Sequence, residues 1–129
     1  MNIIDHLSVG VSSVAEGTAF YNEVMATLGY DLIVATDGFA AYGKGAPQFL
    51  LMTPYDGRLF SAGNGVHIAF AAQSAQAVES FHQQACNRGG RCVGKPDNRP
   101  AYPKTDVYAA FVRDPFGNKL EAIFNGFSA

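Results

Sequence analysis

At 129 residues the chain is expected to fold as one domain, long enough to bury about two-thirds of the surface its unfolded form exposes. Nine Lys and Arg against eleven Asp and Glu leave a formal charge of −2, which carries no electrostatic footprint for nucleic acid or for an anionic membrane. The two cysteines, Cys86 and Cys92, fit no zinc spacing, no charged-then-apolar leader is read, and no apolar run approaches the length of a membrane span. The expectation is a cytoplasmic protein with reduced thiols whose partners are small molecules or other proteins.

The segment "IDHLSVGV", Ile4 to Val11, alternates as a strand does, with His6, Ser8 and Gly10 on one side and Leu7, Val9 and Val11 on the other. Ser13 with Glu16 forms a capping box, and Phe20, Tyr21, Val24, Met25 and Leu28 follow at helical spacing, so one face of a helix is buried. Gly29 suits a left-handed helix end. The stretches "YDLIVAT", "GFAAYG" and "PQFLLMT" then read as three short strands bounded by Gly, Asp and Pro. A Gly-rich stretch from Pro54 to Gly65 follows. It divides the chain into a first module (residues 1–53), a connector (54–63) and a second module (64–129).

Sliding the chain by 61 residues lays His6 on His67, Ser13 on Ser74, Phe20 on Phe81, Tyr21 on His82 and Gly29 on Gly90. The second module therefore repeats the first. "GVHIAFAA" is its opening strand, Ser74 to about Asn87 its helix, with Val78, Phe81 and Ala85 inward, and "RCVG", "VYAAFVR" and "NKLEAIF" its later strands. "DPFG", Asp114 to Gly117, has the residues of a type I turn and predicts a hairpin. "GKPDNRPAYPKTD", Gly94 to Asp106, reads as a polar loop with three prolines, long enough to serve as a mobile rim. Each half is βαβββ. Isolated halves of this kind leave sheet edges unpaired, so pairing within or between chains is expected.

Two residues sit awkwardly in this pattern. His67 interrupts an apolar strand, where a histidine is ordinarily a half-buried residue with one hydrogen bond. Glu121 lies between Leu120 and Ala122, and a carboxylate buried there costs several kcal/mol unless it is paired or coordinates a metal. Its plain alternative is a wet strand face.

Taken together, "IDHLSVGV", "GVHIAFAA" and "DPFGNKLEAIF" resemble the vicinal oxygen chelate superfamily, which includes glyoxalase I, extradiol dioxygenases, fosfomycin-resistance transferases and bleomycin-binding proteins. The resemblance covers nearly the whole chain. It implies an α+β fold in which two βαβββ modules form a cup-shaped mixed sheet, completed by or packed against a second copy in a homodimer that takes a small-molecule substrate, and one divalent metal ion held by His6, His67 and Glu121. Two imidazoles and a carboxylate suit Fe, Mn, Ni or Zn alike. It further implies a metal-dependent enzyme, glyoxalase-like (a lyase or isomerase) or dioxygenase-like, acting on a small substrate that chelates through oxygen.

The glyoxalase I family uses a fourth ligand, a glutamate on the last strand of the first half. Here "PQFLLMT" offers only Phe49, Leu50 or Leu51. Besides Glu121, the catalytic candidates are Ser8, two residues after His6, and Tyr108 and Arg113, which parity places on opposite faces of one strand; Tyr42 is a further neighbour. Lys95, Arg99 and Lys104 make the proline loop basic enough to close over an anionic substrate. The other reading is a metal-free small-molecule or drug-binding protein of the bleomycin-resistance type.

Overall fold

In a computed structural model describing residues 3–129, the chain runs β1 (Leu7–Gly10), α1 (Val14–Ala26), β2 (Asp31–Ala35), β3 (Phe39–Gly43), β4 (Phe49–Met52), β5 (Ile68–Ala72), α2 (Ala75–Asn87), β6 (Arg91–Asn98), β7 (Tyr108–Arg113) and β8 (Lys119–Phe124). Both modules are βαβββ, and each makes its own mixed sheet, ordered β1-β4-β3-β2 and β5-β8-β7-β6. The helix and the next two strands carry the chain across, so the fourth strand returns parallel to the first, and the remaining pairs are antiparallel.

The helix starts follow the sequence. Ser13 accepts from the Glu16 amide at 3.1 Å and Ser74 from the Ala77 amide at 3.0 Å, so each cap satisfies one of the orphan donors of its first turn. The helix ends differ from the repeat. Gly29 is left-handed at φ +81°, but in the second module that conformation belongs to Gly89, at φ +97°, and not to Gly90. Gly90 has a packing reason instead: a Cβ there would lie 2.7 Å from the Ala85 carbonyl oxygen and 3.0 Å from those of Arg113 and the Phe20 ring edge.

A single core joins the two modules. Phe20, Tyr21, Val24, Met25, Phe49 and Leu51 of the first pack with Phe70, Val78, Phe81, Ala85, Val112 and Leu120 of the second. Phe49 meets Phe70 edge-on, with centroids 5.0 Å apart, and the two helices touch. Tyr21 donates to the Asp114 carboxylate, and the Asn118 side-chain amide donates to the Gly10 carbonyl at 3.1 Å. The modules thus bury their helix-bearing sides against each other, and the opposite faces of both sheets look outward. Among the described residues no strand pairs across modules, and each sheet keeps free edge strands.

The loop expected over Gly94–Asp106 is shorter. β6 continues to Asn98, and Pro96 falls where the ladder shifts register between Gly94 and Asp97, at a place where its missing N–H costs no regular pairing. No helix is long and apolar enough to cross a membrane.

Candidate functional site

Parity and register place His67 and Glu121 together. On the outward face of the second sheet, Ala69 is paired with Glu121, and Phe111 is paired with Glu121 from the other side. His67 precedes Ala69 by two and therefore shares its face. Its Nε2 lies 3.2 Å from Glu121 Oε1. The His67 side chain is 45% exposed and that of Glu121 only 3%, so a nearly buried carboxylate presents one oxygen toward a solvent-reachable imidazole.

The second oxygen is taken. Tyr102, in the shortened proline loop, donates its hydroxyl to Glu121 Oε2 at 2.9 Å. Burial, reinforced by this bond, pushes the Tyr102 phenol up to about 12, so it is a hydrogen donor at neutral pH. Its ring packs on Phe127, centroids 5.4 Å apart. The same loop is fastened to the segment after β8: Lys104 Nζ donates to the Gly126 carbonyl at 2.8 Å, and Asn125 Nδ2 to that of Asp106 at 3.1 Å. Beside the pair opens a cavity of about 450 Å³ floored by Ala69, Ala71 and Ile123 and walled by Gly126 and Phe127. The small β5 residues leave this space.

Phe111 forms the other flank. Its ring lies 5.9 Å from the His67 ring, with the Arg99 guanidinium 5.4 Å and the Lys119 ammonium 5.1 Å from its centroid, distances at which a cation gains from the ring quadrupole. Arg99 is also a brace, since Nη2 donates to the carbonyls of Lys95 and Ala109 and its Nε is buried with no partner among the described residues. Two of the three loop cations, Arg99 and Lys104, are therefore engaged in holding the loop. Lys95 is exposed.

The remaining sequence candidates lie elsewhere. His6 precedes β1 with its side chain 56% exposed, and its Nδ1 lies 2.6 Å from Asp5 Oδ1. Among the described residues no three His, Cys, Asp or Glu side chains converge as a metal-holding group, so His6 does not meet His67 and Glu121 in one chain. Ser8 lines a different cavity, of about 420 Å³, with Met52, Tyr55 and Phe60. Tyr108 lies on the helix-bearing side of β7, where it packs against the core and donates to Glu79 of α2 at 2.9 Å. Arg113 shares the face of Glu121, but its Nη1 donates to the Gly117 carbonyl at the strand end, 2.7 Å away. Tyr42 is buried and donates to Asn22 at 2.7 Å.

The ladders also settle which residue of "PQFLLMT" matches Glu121. Glu121 pairs with Ala69, two residues after His67, and Leu50 pairs with Ser8, two residues after His6. Leu50 thus occupies the Glu121 position of the first module and offers no carboxylate. Tyr102 escaped the sequence reading because nothing in the spacing of a proline-rich loop indicates which side chain turns inward.

An imidazole nitrogen and a carboxylate oxygen 3.2 Å apart beside a cavity are donors of the type that bind divalent first-row ions, and the nearly buried carboxylate suits a cationic neighbour. The pair fits a metal in the chemistry of its donors.

The sequence model of the Glyoxalase/Bleomycin resistance protein/Dioxygenase superfamily matches residues 3–122, and the chain belongs to that family. It is 32% identical to a glyoxalase/bleomycin resistance protein from Albidiferax ferrireducens T118, with a TM-score of 0.87 over 97% of this chain and 100% of that one. A glyoxalase-related enzyme from Fulvimarina pelagi shares the fold at 15% identity, with a TM-score of 0.75 over 97% of this chain and 89% of that one. So does a glyoxalase/bleomycin resistance protein/dioxygenase family enzyme from Burkholderia phytofirmans PsJN, 15% identical, with a TM-score of 0.70 over 93% and 96%. No curated protein matches the chain.

Proposed function

We propose that this protein is a metal-dependent enzyme acting on a small substrate that chelates through two oxygens, with a site shared between two copies of the chain. The observation that carries the reading is the His67–Glu121 pair: a carboxylate only 3% exposed, 3.2 Å from an imidazole nitrogen. His6 of a second copy is the third donor. The outward sheet faces and edges support such pairing, because Leu32, Ile33 and Val34 on β2 remain 41%, 42% and 39% exposed and Leu59 and Val66 more so, an apolar surface of the kind that marks an interface. When bound, a divalent ion would polarise the chelating oxygens of the substrate. The chain's own groups would position the rest: Lys119, whose ammonium lies over the Phe111 ring and whose side chain makes no hydrogen bond or ion pair among the described residues, offers a positive charge, and the cavity over Ala69 and Ala71 takes an apolar body.

Complementation tests the shared site. His6→Ala and Glu121→Gln are each expected to lose tight Ni²⁺ binding as pure dimers. Unfolding and refolding them together at equal amounts forms heterodimers in which one site has all three donors and the other lacks two, so about a quarter of the sites recover. Recovery of none, with wild type binding normally, overturns the shared site.

A second reading has its own observation. His6 is held by Asp5, and no three-donor group forms among the described residues, as in a metal-free small-molecule or drug binder that uses the 450 Å³ cavity alone. Wild-type protein that takes up no Fe, Mn, Ni or Zn selects it.

A further inference from the structure

The Glu121 carboxylate is held at both oxygens by groups on different parts of the chain. His67 faces Oε1 from the residue just before β5, and Tyr102 donates to Oε2 from the loop between β6 and β7. We infer that Tyr102 is a positioning residue that keeps Glu121 a one-oxygen ligand, and that through it the loop and the Asn125–Ala129 segment set how tightly the site holds a divalent ion. This rests on the metal-dependent reading above.

Orientation and rigidity together fix the carboxylate. A free carboxylate can turn both oxygens to a cation. With Oε2 accepting a hydrogen bond at 2.9 Å, turning that oxygen toward a cation would bend or break the bond from Tyr102, so Oε1, which already faces His67 at 3.2 Å, is the oxygen that would be presented to a divalent ion. Tyr102 can enforce this because it is itself restrained. Its ring rests on Phe127, Lys104 two residues on is bonded to the Gly126 and Ala129 carbonyls at 2.8 and 3.3 Å, and Asn125 donates to the Thr105 and Asp106 carbonyls at 3.4 and 3.1 Å. Partners that orient a metal ligand in this way typically change metal affinity 10- to 100-fold, about, when removed.

Tyr102→Phe keeps the ring against Phe127 and removes only the hydroxyl. Wild type and variant are loaded with Co²⁺, whose visible absorption reports coordination number and geometry, and the affinity of each is measured. The expected result is about tenfold weaker Co²⁺ binding together with a changed visible spectrum, because a carboxylate no longer held at Oε2 loses its fixed orientation beside His67. The melting temperature of the metal-free proteins should be nearly the same, which separates this from general loosening. Lys104→Met, which frees the loop but keeps the hydroxyl, should weaken binding with a smaller spectral change. Equal affinity and identical spectra for wild type and Tyr102→Phe overturn the inference while leaving the metal reading intact. A wild type that binds no Co²⁺ overturns both.

Discussion

Tyr21 and Asp114, 93 residues apart, meet in the core, with the Tyr21 hydroxyl donating to Asp114 Oδ2. The phenol reaches from α1 of the first module into the β7–β8 turn of the second. Asp114 also takes the amides of Phe116 at 2.9 Å and Asn118 at 2.8 Å on Oδ1, and the Asn118 side chain at 2.9 Å on Oδ2. One carboxylate therefore both builds the "DPFG" turn and ties the modules together.

Tyr21→Phe preserves the ring and deletes that tie. The Tyr21 side chain is fully buried and its acceptor is charged, so about 1.5–3 kcal/mol of stability should be lost. Urea unfolding measures it. An unchanged midpoint would show that the hydroxyl contributes nothing to module packing.

Asp114 makes stability depend on pH. Burial pushes its pKa above the ordinary 3.8, although the hydrogen bonds from Tyr21, Asn118 and Phe116 pull it back in part. A carboxyl raised on folding holds its proton longer in the folded than in the unfolded protein. Its contribution is thus fully present below pH 3.8 and is lost as pH rises through the folded value. Asp114→Asn should remove that downward slope from a plot of unfolding free energy against pH. Parallel curves for wild type and variant over this range would assign the slope to other groups.

Gly89 and Gly90 should respond differently to alanine. Gly89→Ala places a side chain at φ +97°, a strain of about 1–2 kcal/mol. Gly90→Ala has an ordinary backbone angle but drives a methyl to within 3.0 Å or less of two carbonyl oxygens and the Phe20 ring, for which about 1–3 kcal/mol is expected. Thermal unfolding of both variants checks the assignment. A tolerated Gly90→Ala would mean that the helix–strand junction can slide to make room.

If His67 and Glu121 hold a metal, the metal should stabilise the fold by mass action. At a free concentration a hundred times its dissociation constant the gain is about 2.7 kcal/mol, removed by chelator. Glu121→Gln, which keeps the shape of the side chain, should lose the response. A melting temperature indifferent to Ni²⁺, Zn²⁺, Mn²⁺ and Fe²⁺ in wild type leaves the metal-free binding reading.

Much of this was determined by sequence alone, because it depends on neighbours a few residues apart. The 61-residue repeat, the Ser13 and Ser74 caps, the turn at Asp114 and the order of strands and helices all follow from local spacing. So does the sharing of one face by His67, Ala69 and Ala71, since alternation along a strand is fixed by the backbone. Local spacing did mislead at the second helix end, where close packing claimed Gly90 and passed the left-handed turn to Gly89. It also missed that β6 absorbs Pro96 at a register shift.

Tertiary structure decided the rest. That Tyr108 turns toward α2 while Arg113 shares the Glu121 face depends on which side of the sheet the helix covers. The separation of His6 from His67 follows from the modules burying their helix-bearing sides together, a choice made by the whole core of Tyr21, Phe49, Phe70 and Phe81. Tyr102 reaches Glu121 across 19 residues of chain because loop and tail pack on each other. These contacts arise from the fit of surfaces assembled from distant segments, and no residue's immediate neighbours encode that fit.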